Sequence, residues 1–343
     1  MKKLLNTLYV TTQGAYLKKD GETVAVKIDG SIKLRIPIHT LDGIVCFGNI
    51  SVSPFLLGLC TERNVSVSFL TENGRFLAKV VGPVSGNVLL RRAQYRWADD
   101  LKRSCNFATN FLIGKLFNSR AVLERAKRDH ADKIDLPKVS EASLNLKHAI
   151  RRVQKECNLD SLRGLEGDAA NSYFSVFQEL ITTQKDEFVF DGRNRRPPTD
   201  RVNCLLSFLY TIVLHDVRSA LETVGLDPQV GFLHRDRPGR PSLALDLMEE
   251  FRPFIADRLV LNLINRCQVK AKGFRKKASG AVHMDDETRR TVLIAYQKRK
   301  QEAVTHPFIG EKVPLGILFF LQAQLVARYI RGDLDGYPPF LWK

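Results

Sequence analysis

Up to about residue 84 the chain alternates short apolar or β-branched runs, TLYVT, TVAVKI, GIVCFG, VSVSFL and FLAKVV, with turn signals at Asp20-Gly21, Asp29-Gly30 and Asn73-Gly74. Runs of that length and residue type read as strands, and dipeptides of that kind close hairpins. A β-rich unit built of hairpins is expected. One amphipathic interruption, SPFLLGLCTERN, offers Ser53 as N-cap and Pro54 at the first helical position, which predicts a short helix. Beyond Gly82-Pro83 and Gly86 the period changes. From Leu89 apolar residues recur at three and four residue spacing through RRAQYRWADDLKRSCNFATNFLIGKLF, and further helices are expected over 141–156, 161–180, 200–224, 243–268, 286–303 and 314–332. Breaks fall at GRNRRPP, LDPQVG and KAKGFRKKASG. The pattern predicts an α+β chain of two domains, a small β-rich N-terminal domain over 1–85 and a larger all-α domain over 86–343.

Length and composition agree with this division. A chain of 343 residues that is 44% hydrophobic and 26% charged can bury a sizeable core. The six cysteines contain no C-x-x-C pair, lie mostly in apolar stretches, and read as reduced core residues. The N-terminal MKKLLNTLYVTTQGAYLKK is too short in its apolar run to be a secretory signal, and no apolar span long enough for a membrane follows. A cytoplasmic protein is expected.

Charge adds more. Against 37 Asp and Glu stand 53 Lys and Arg, a net +16 that exceeds what solubility requires and implies a polyanionic partner. Half of the excess falls in residues 266–300, where eleven basic side chains face three acidic ones. Such a cluster suits sequence-independent contacts to nucleic-acid phosphates, and Lys270, Lys272, Arg275, Lys276 and Lys277 are the candidate contacts. The Lys270 to Gly280 stretch has two glycines and no apolar period, so it is expected to remain a loop that orders on DNA. A solvated helix face is the other reading of the charge.

No phosphate-cradling loop, dinucleotide fingerprint, nucleophile elbow or H-E-x-x-H pair occurs, so no nucleoside triphosphate site is expected. Phosphate chemistry in such a protein would most simply use a divalent ion, which calls for carboxylates and a histidine. The segment QVGFLHRDRPGRPSLALDLMEEFRPFIADR supplies both. His234 follows a tight turn at an element's end. Beyond Ser242, read as an N-cap, Leu243, Leu247, Phe251, Ile255 and Leu259 fall on one helix side, with Asp246, Glu249 and Glu250 on the other. Like charges so spaced need an arginine, water or a cation to offset them. Pro253 removes the donor that would serve the Glu249 carbonyl and predicts a kink there. A solvated acidic face near a helix N-terminus is the alternative. Glu166, in SLRGLEGDAANSYFSVF, sits at the edge of an inward stripe of Leu165, Ala169, Tyr173 and Phe177, and a first-turn capping carboxylate is its alternative reading. His215, beside Asp216 in an apolar helix, reads as a core residue.

RGLEGDAANSYF, RPPTDRVNCLLSFLYTIVL and GFLHRDRPGRPSLALDLMEEFRP occur in this order and spacing, followed by QAQLVARYIRGDLDGYPPF. Together they resemble the CRISPR-associated endonuclease and integrase of the adaptation module, over nearly the whole chain. The resemblance implies a metal-dependent DNA endonuclease that inserts short fragments into a CRISPR array by 3′-hydroxyl attack. It implies Mn²⁺ or Mg²⁺ held by Glu166, His234 and Glu249, with Asp246 as a supporting acid or a contact to a second ion, and with Glu250 able to replace Glu249 were the helix rotated. It further implies a homodimer formed through the N-terminal domain and a small bridging partner protein. A structure-selective nuclease for branched DNA and a non-catalytic DNA-binding scaffold are the competing readings.

Overall fold

The structure is a computed structural model that describes residues 6–342 except 64, 73–75, 81, 83–87 and 196. The Asn73-Gly74 turn and the expected boundary at residue 85 lie outside the described residues. Two four-stranded sheets form the N-terminal part. Strands β1 (Asn6–Val10), β2 (Tyr16–Asp20), β3 (Thr23–Ile28), β4 (Ser31–Pro37), β5 (Leu41–Phe47), β6 (Ser51–Val52), β7 (Ser66–Leu70) and β8 (Phe76–Val80) pair in the orders β1-β5-β7-β8 and β4-β3-β2-β6. Hairpins at Asp20-Gly21 and Asp29-Gly30 join β2, β3 and β4 as expected.

The first sheet departs from the hairpin expectation: β1, β5 and β7 are parallel, and only β8 runs antiparallel. The reason is burial on both faces, which parallel strands require. Along β5, Ile44 and Cys46 face one apolar cluster with Leu56, Leu59 and Cys60 of helix α1 (Pro54–Glu62), while Val45 and Phe47 join the core of the helical part. Ser53 caps α1 by accepting the N–H of Leu56. Phe47 reaches Phe208 of the helical part, with ring centroids 6.0 Å apart, so the sheet is sandwiched between α1 and the helices.

The C-terminal part comprises α2 (Val88–Asp99), α3 (Leu101–Asp129), α4 (Leu136–Val153), α5 (Leu159–Phe174), α6 (Arg201–Thr223), α7 (Ser242–Met248), α8 (Arg258–Asn265), α9 (Asp286–Gln301) and α10 (Leu315–Arg331). The helix expected over 243–268 is instead α7, a turn, a π-helical stretch (Arg252–Asp257) with Pro253 in its first turn, and α8. The missing proline N–H is what interrupts the α-helical ladder. Ser242 is the first residue of α7 and caps nothing; the cap position is Pro241.

Two short ribbons qualify the all-α expectation, β9 (Phe274–Lys276) with β10 (Val282–Met284) and β11 (Ala303–Thr305) with β12 (Lys312–Pro314). The Lys270 to Gly280 stretch is therefore a hairpin with structure of its own: Phe274 is buried with its ring edge-on to Phe188, and Val282 N–H donates to the Pro198 carbonyl. Phe274 is the sole apolar anchor in that stretch, and one anchor creates no period. Helix α6 is long and apolar enough to cross a membrane, but more than half of that span is buried inside the fold. Cys46, Cys60, Cys105 and Cys204 are buried as expected, whereas Cys157 and Cys267 lie exposed at helix ends.

Candidate metal centre and nucleic-acid interface

Helix α3 supplies a residue to which the sequence pattern draws no attention. Lys115 lies among the buried Phe111, Leu112, Gly114 and Leu116 and is itself only 9% exposed. Its ammonium forms a short ion pair with Glu166 on α5 and lies 2.9 Å from Oε2 of Glu249, the C-cap residue that follows α7. Burial works against the lysine's charge, but Glu249 and Glu166 outweigh it and raise its pKa. Glu249 is 2% exposed, and its Oε1 pairs with Arg252 at 2.7 Å. Burial alone would push this carboxyl up; Arg252, then Lys115, then His234 hold it well below the usual carboxylate range. Oε2 of Glu249 meets the Lys115 ammonium as an ion pair and has no other partner among the described residues. Glu166 stands two turns inside α5, whose cap is Asn158, so it is not a capping carboxylate.

His234 is held from behind. Asp246, fully buried on α7, accepts the backbone N–H groups of Phe232 (2.6 Å), Leu233 (3.0 Å) and His234 (3.0 Å), and its Oδ1 lies 2.6 Å from His234 Nδ1. A carboxylate only accepts, so Nδ1 carries a proton and donates it to Asp246, the arrangement by which metal-binding histidines present Nε2. The four contacts engage both Asp246 oxygens, which leaves none for a second ion. Gly231 makes the approach possible: a Cβ there would stand 2.7 Å from Asp246 Oδ2 and 2.8 Å from the backbone nitrogen of Leu243.

The three acids do not share one face. Because α7 ends at Met248, Glu250 turns the other way, accepting from Gln322 Nε2 (2.9 Å), Tyr337 Oη (2.7 Å) and Phe340 N (2.9 Å). Burial pushes its carboxyl up to about 8 against those hydrogen bonds. Gly114 lets α3 pass this side chain, since a Cβ there would lie 2.8 Å from Glu250 Cγ.

Among the described residues no three His, Cys, Asp or Glu side chains stand close enough to hold an ion as they are placed. The donor set nevertheless fits one: two carboxylates from different elements converge on a single cationic group, the buried Glu249 oxygen that meets it has no other partner among the described residues, and an imidazole oriented by Asp246 flanks Glu249. Arg193 and Arg195 of the GRNRRPP break line the adjoining narrow cleft with Glu166, Arg252 and Tyr210. On the histidine side a cleft of about 290 Å³ is lined by Tyr95, Arg163, His234 and Arg235. Lys115 could have been found from its position in NFLIGKLF, a lysine on an otherwise apolar face; Arg252 is an arginine of the kind that the clustered acids call for, and nothing marked Tyr210.

Lys270, Lys272, Arg275, Lys276 and Lys277 are all exposed, and their ribbon is tied through Pro198 to the segment that carries Arg193 and Arg195. Three other basic residues counted in that cluster are not surface charges. Arg289, Arg299 and Lys300 are buried and paired with Asp286, Glu302 and Asp216.

A β-rich unit feeding a larger helical part is a fold shared with solved Cas1 proteins. One from Thermotoga maritima superposes with a TM-score of 0.81 at 23% identity, covering 95% of this chain and 97% of that one. A casposase bound to integration product superposes at 0.83, also 23% identical, covering 99% and 94%. The family model "CRISPR associated protein Cas1" matches residues 8–298. The CRISPR-associated endonuclease Cas1 1 of Chlorobaculum tepidum is 59% identical over the full length of both chains, and the CRISPR-associated endonuclease Cas1 2 of Rhodospirillum rubrum is 52% identical, again over all of both. The chain belongs to the Cas1 family.

Proposed function

We propose that this protein is a metal-dependent DNA endonuclease and integrase that joins short DNA fragments to a CRISPR array, with Glu166, His234 and Glu249 as the ligands of one Mn²⁺ or Mg²⁺. The observation that carries the proposal is the convergence of Glu166 and Glu249 on one cationic group beside an imidazole whose Nε2 is kept free by Asp246. Its relatives' description as endonucleases agrees with it.

When bound, the ion supplies stabilisation of charge at the attacked phosphorus and lowers the pKa of the attacking hydroxyl. This chain's residues do the rest. Asp246 fixes the imidazole's orientation and tautomer, Arg252 holds Glu249 in place, and Glu166, about a third exposed, is the carboxylate nearest solvent and substrate. Arg193 and Arg195 bring positive charge to the phosphates that flank the reacting one. In the joining step the 3′ oxygen of the fragment bonds to phosphorus as a target-strand phosphorus–oxygen bond breaks, releasing a new 3′ hydroxyl. One phosphodiester replaces another, so no nucleoside triphosphate is needed.

The exposed ribbon of Lys270, Lys272, Arg275, Lys276 and Lys277 is the proposed contact to the backbone of double-stranded DNA. Dimerisation through residues 1–85 and a small bridging partner belong to the same proposal; one structural neighbour was solved as a Cas6-RT-Cas1–Cas2 complex.

The test is transfer of a short duplex with free 3′ hydroxyls into supercoiled plasmid, with Mn²⁺, Mg²⁺ or chelator, for the wild type and His234→Ala. Metal-dependent joined products that the variant fails to make support the proposal. Nicking without joining favours a nuclease for branched DNA, and binding without chemistry favours a scaffold.

A further inference from the structure

Lys115 is expensive where it sits. Its ammonium has left water for a helix face of Phe111, Leu112 and Leu116, and a lysine so placed is tolerated only beside carboxylates. Its partners are Glu166 and Glu249, the two carboxylates read above as metal ligands. A divalent ion sits about 2.0–2.6 Å from carboxylate oxygens, and an ammonium 2.9 Å from Glu249 Oε2 and in contact with Glu166 occupies the same ground. Two cations cannot share it: they overlap sterically and repel at short range in a poorly solvated site.

We propose that Lys115 is a built-in counter-cation that competes with the divalent ion. It neutralises Glu166 and Glu249 in the metal-free protein and must withdraw for an ion to load. This inference rests on the metal reading of the proposed function. The four-carbon stem gives the ammonium room to swing, and the side open to it is that of Glu166, which is 31% exposed while Glu249 is enclosed. Arg252 remains on Oε1 of Glu249 throughout, so the enclosed carboxylate is never without a positive partner. The displaced ammonium then lies on the substrate side of the site, where DNA phosphate is its natural acceptor. Metal and DNA accordingly assist each other's binding, each taking one of the partners that the other releases.

The test is Mn²⁺ binding to the full-length protein without DNA, followed by electron paramagnetic resonance of the free ion, for wild type, Lys115→Met, His234→Ala and the double variant. Removing one positive charge at ion-pair distance is expected to tighten Mn²⁺ binding by roughly tenfold or more, and His234→Ala is expected to erase that gain. In the wild type, Mn²⁺ is expected to speed reductive methylation of Lys115, read by peptide mass spectrometry, and not to do so in His234→Ala. That second readout stands even where Lys115→Met fails to fold. Equal Mn²⁺ affinity in wild type and Lys115→Met, or unchanged methylation of Lys115, overturns the inference while leaving the metal reading intact provided His234→Ala weakens binding. Mn²⁺ binding that no variant alters overturns both.

Discussion

His234 Nδ1 lies 2.6 Å from Oδ1 of Asp246, and the same carboxylate gathers the three backbone N–H groups that lead into the histidine. One buried side chain therefore sets both the path of the loop and the orientation of the ring. Asp246→Asn keeps the volume but turns one acceptor into an NH₂ group that faces N–H donors. Two consequences are expected: a loss of about 1–3 kcal/mol in stability from unsatisfied buried groups, and a loss of about 10–100-fold in strand transfer from a disoriented ligand. Denaturant melts and the plasmid assay measure the two separately. A variant of wild-type activity would mean that His234 does not need this support.

Glu249 and Glu250 are neighbours in sequence and belong to different parts of the molecule. Glu249→Gln removes the charge that faces Lys115 and Arg252 and is expected to abolish strand transfer. Glu250→Gln preserves a shape held by Gln322, Tyr337 and Phe340 and is expected to stay within a few-fold of wild type. Glu250→Ala should instead cost about 2–5 kcal/mol, since it leaves a cavity and frees the C-terminal segment from its anchor. The plasmid assay on the two glutamine variants distinguishes the carboxylates, and the reverse ranking would move the site to Glu250.

Much of this is legible in the chain, for identifiable reasons. The N-cap at Ser53, the hairpins at Asp20-Gly21 and Asp29-Gly30, and the interruption at Pro253 are local, and local chemistry is written in adjacent residues. The parallel pairing of β1, β5 and β7 is not, because it depends on which partner lies across the sheet. The acids of α7 share one face only if the helix continues; it ends at Met248, and Glu250 follows a different course. Lys115 escapes a reading of the chain for the same reason that it matters. A lysine on an apolar face is explained only by carboxylates that arrive from α5 and α7.

The basic ribbon offers a test that is independent of chemistry. Replacing Lys272, Arg275 and Lys276 together by glutamate removes exposed charge and leaves the buried Phe274, Val282 and Met284 of the ribbon untouched, so the fold should persist. DNA affinity should fall for every sequence alike. The slope of log K against log salt should flatten by about 0.9 for each phosphate no longer neutralised. Fluorescence anisotropy over a salt series measures it, and an unchanged slope would place the DNA elsewhere.

His215 carries the pH dependence that can be signed most simply. It lines a cavity of about 260 Å³ between the first sheet and α6, with Lys79, Arg218 and Lys300 around it and Asp216 beside it. Burial pulls its pKa from 6.5 down to about 4, with Asp216 opposing and Arg218 and Lys79 adding to the fall. Between these values the folded protein holds the ring neutral while the unfolded chain takes up a proton. The unfolded state thus binds more protons, and stability rises with pH across the interval: the contribution is complete above 6.5 and is lost as pH falls toward 4. Carboxylates titrate over part of the same range, so the wild-type curve alone does not assign the slope to this residue. His215→Gln keeps a polar side chain without the titration, and its stability should fall less steeply with acid, by up to about 1.4 kcal/mol per pH unit. Urea unfolding of both proteins at intervals from about pH 7 to about pH 4 makes the comparison, and parallel curves would show that His215 is protonated as readily in the fold as outside it.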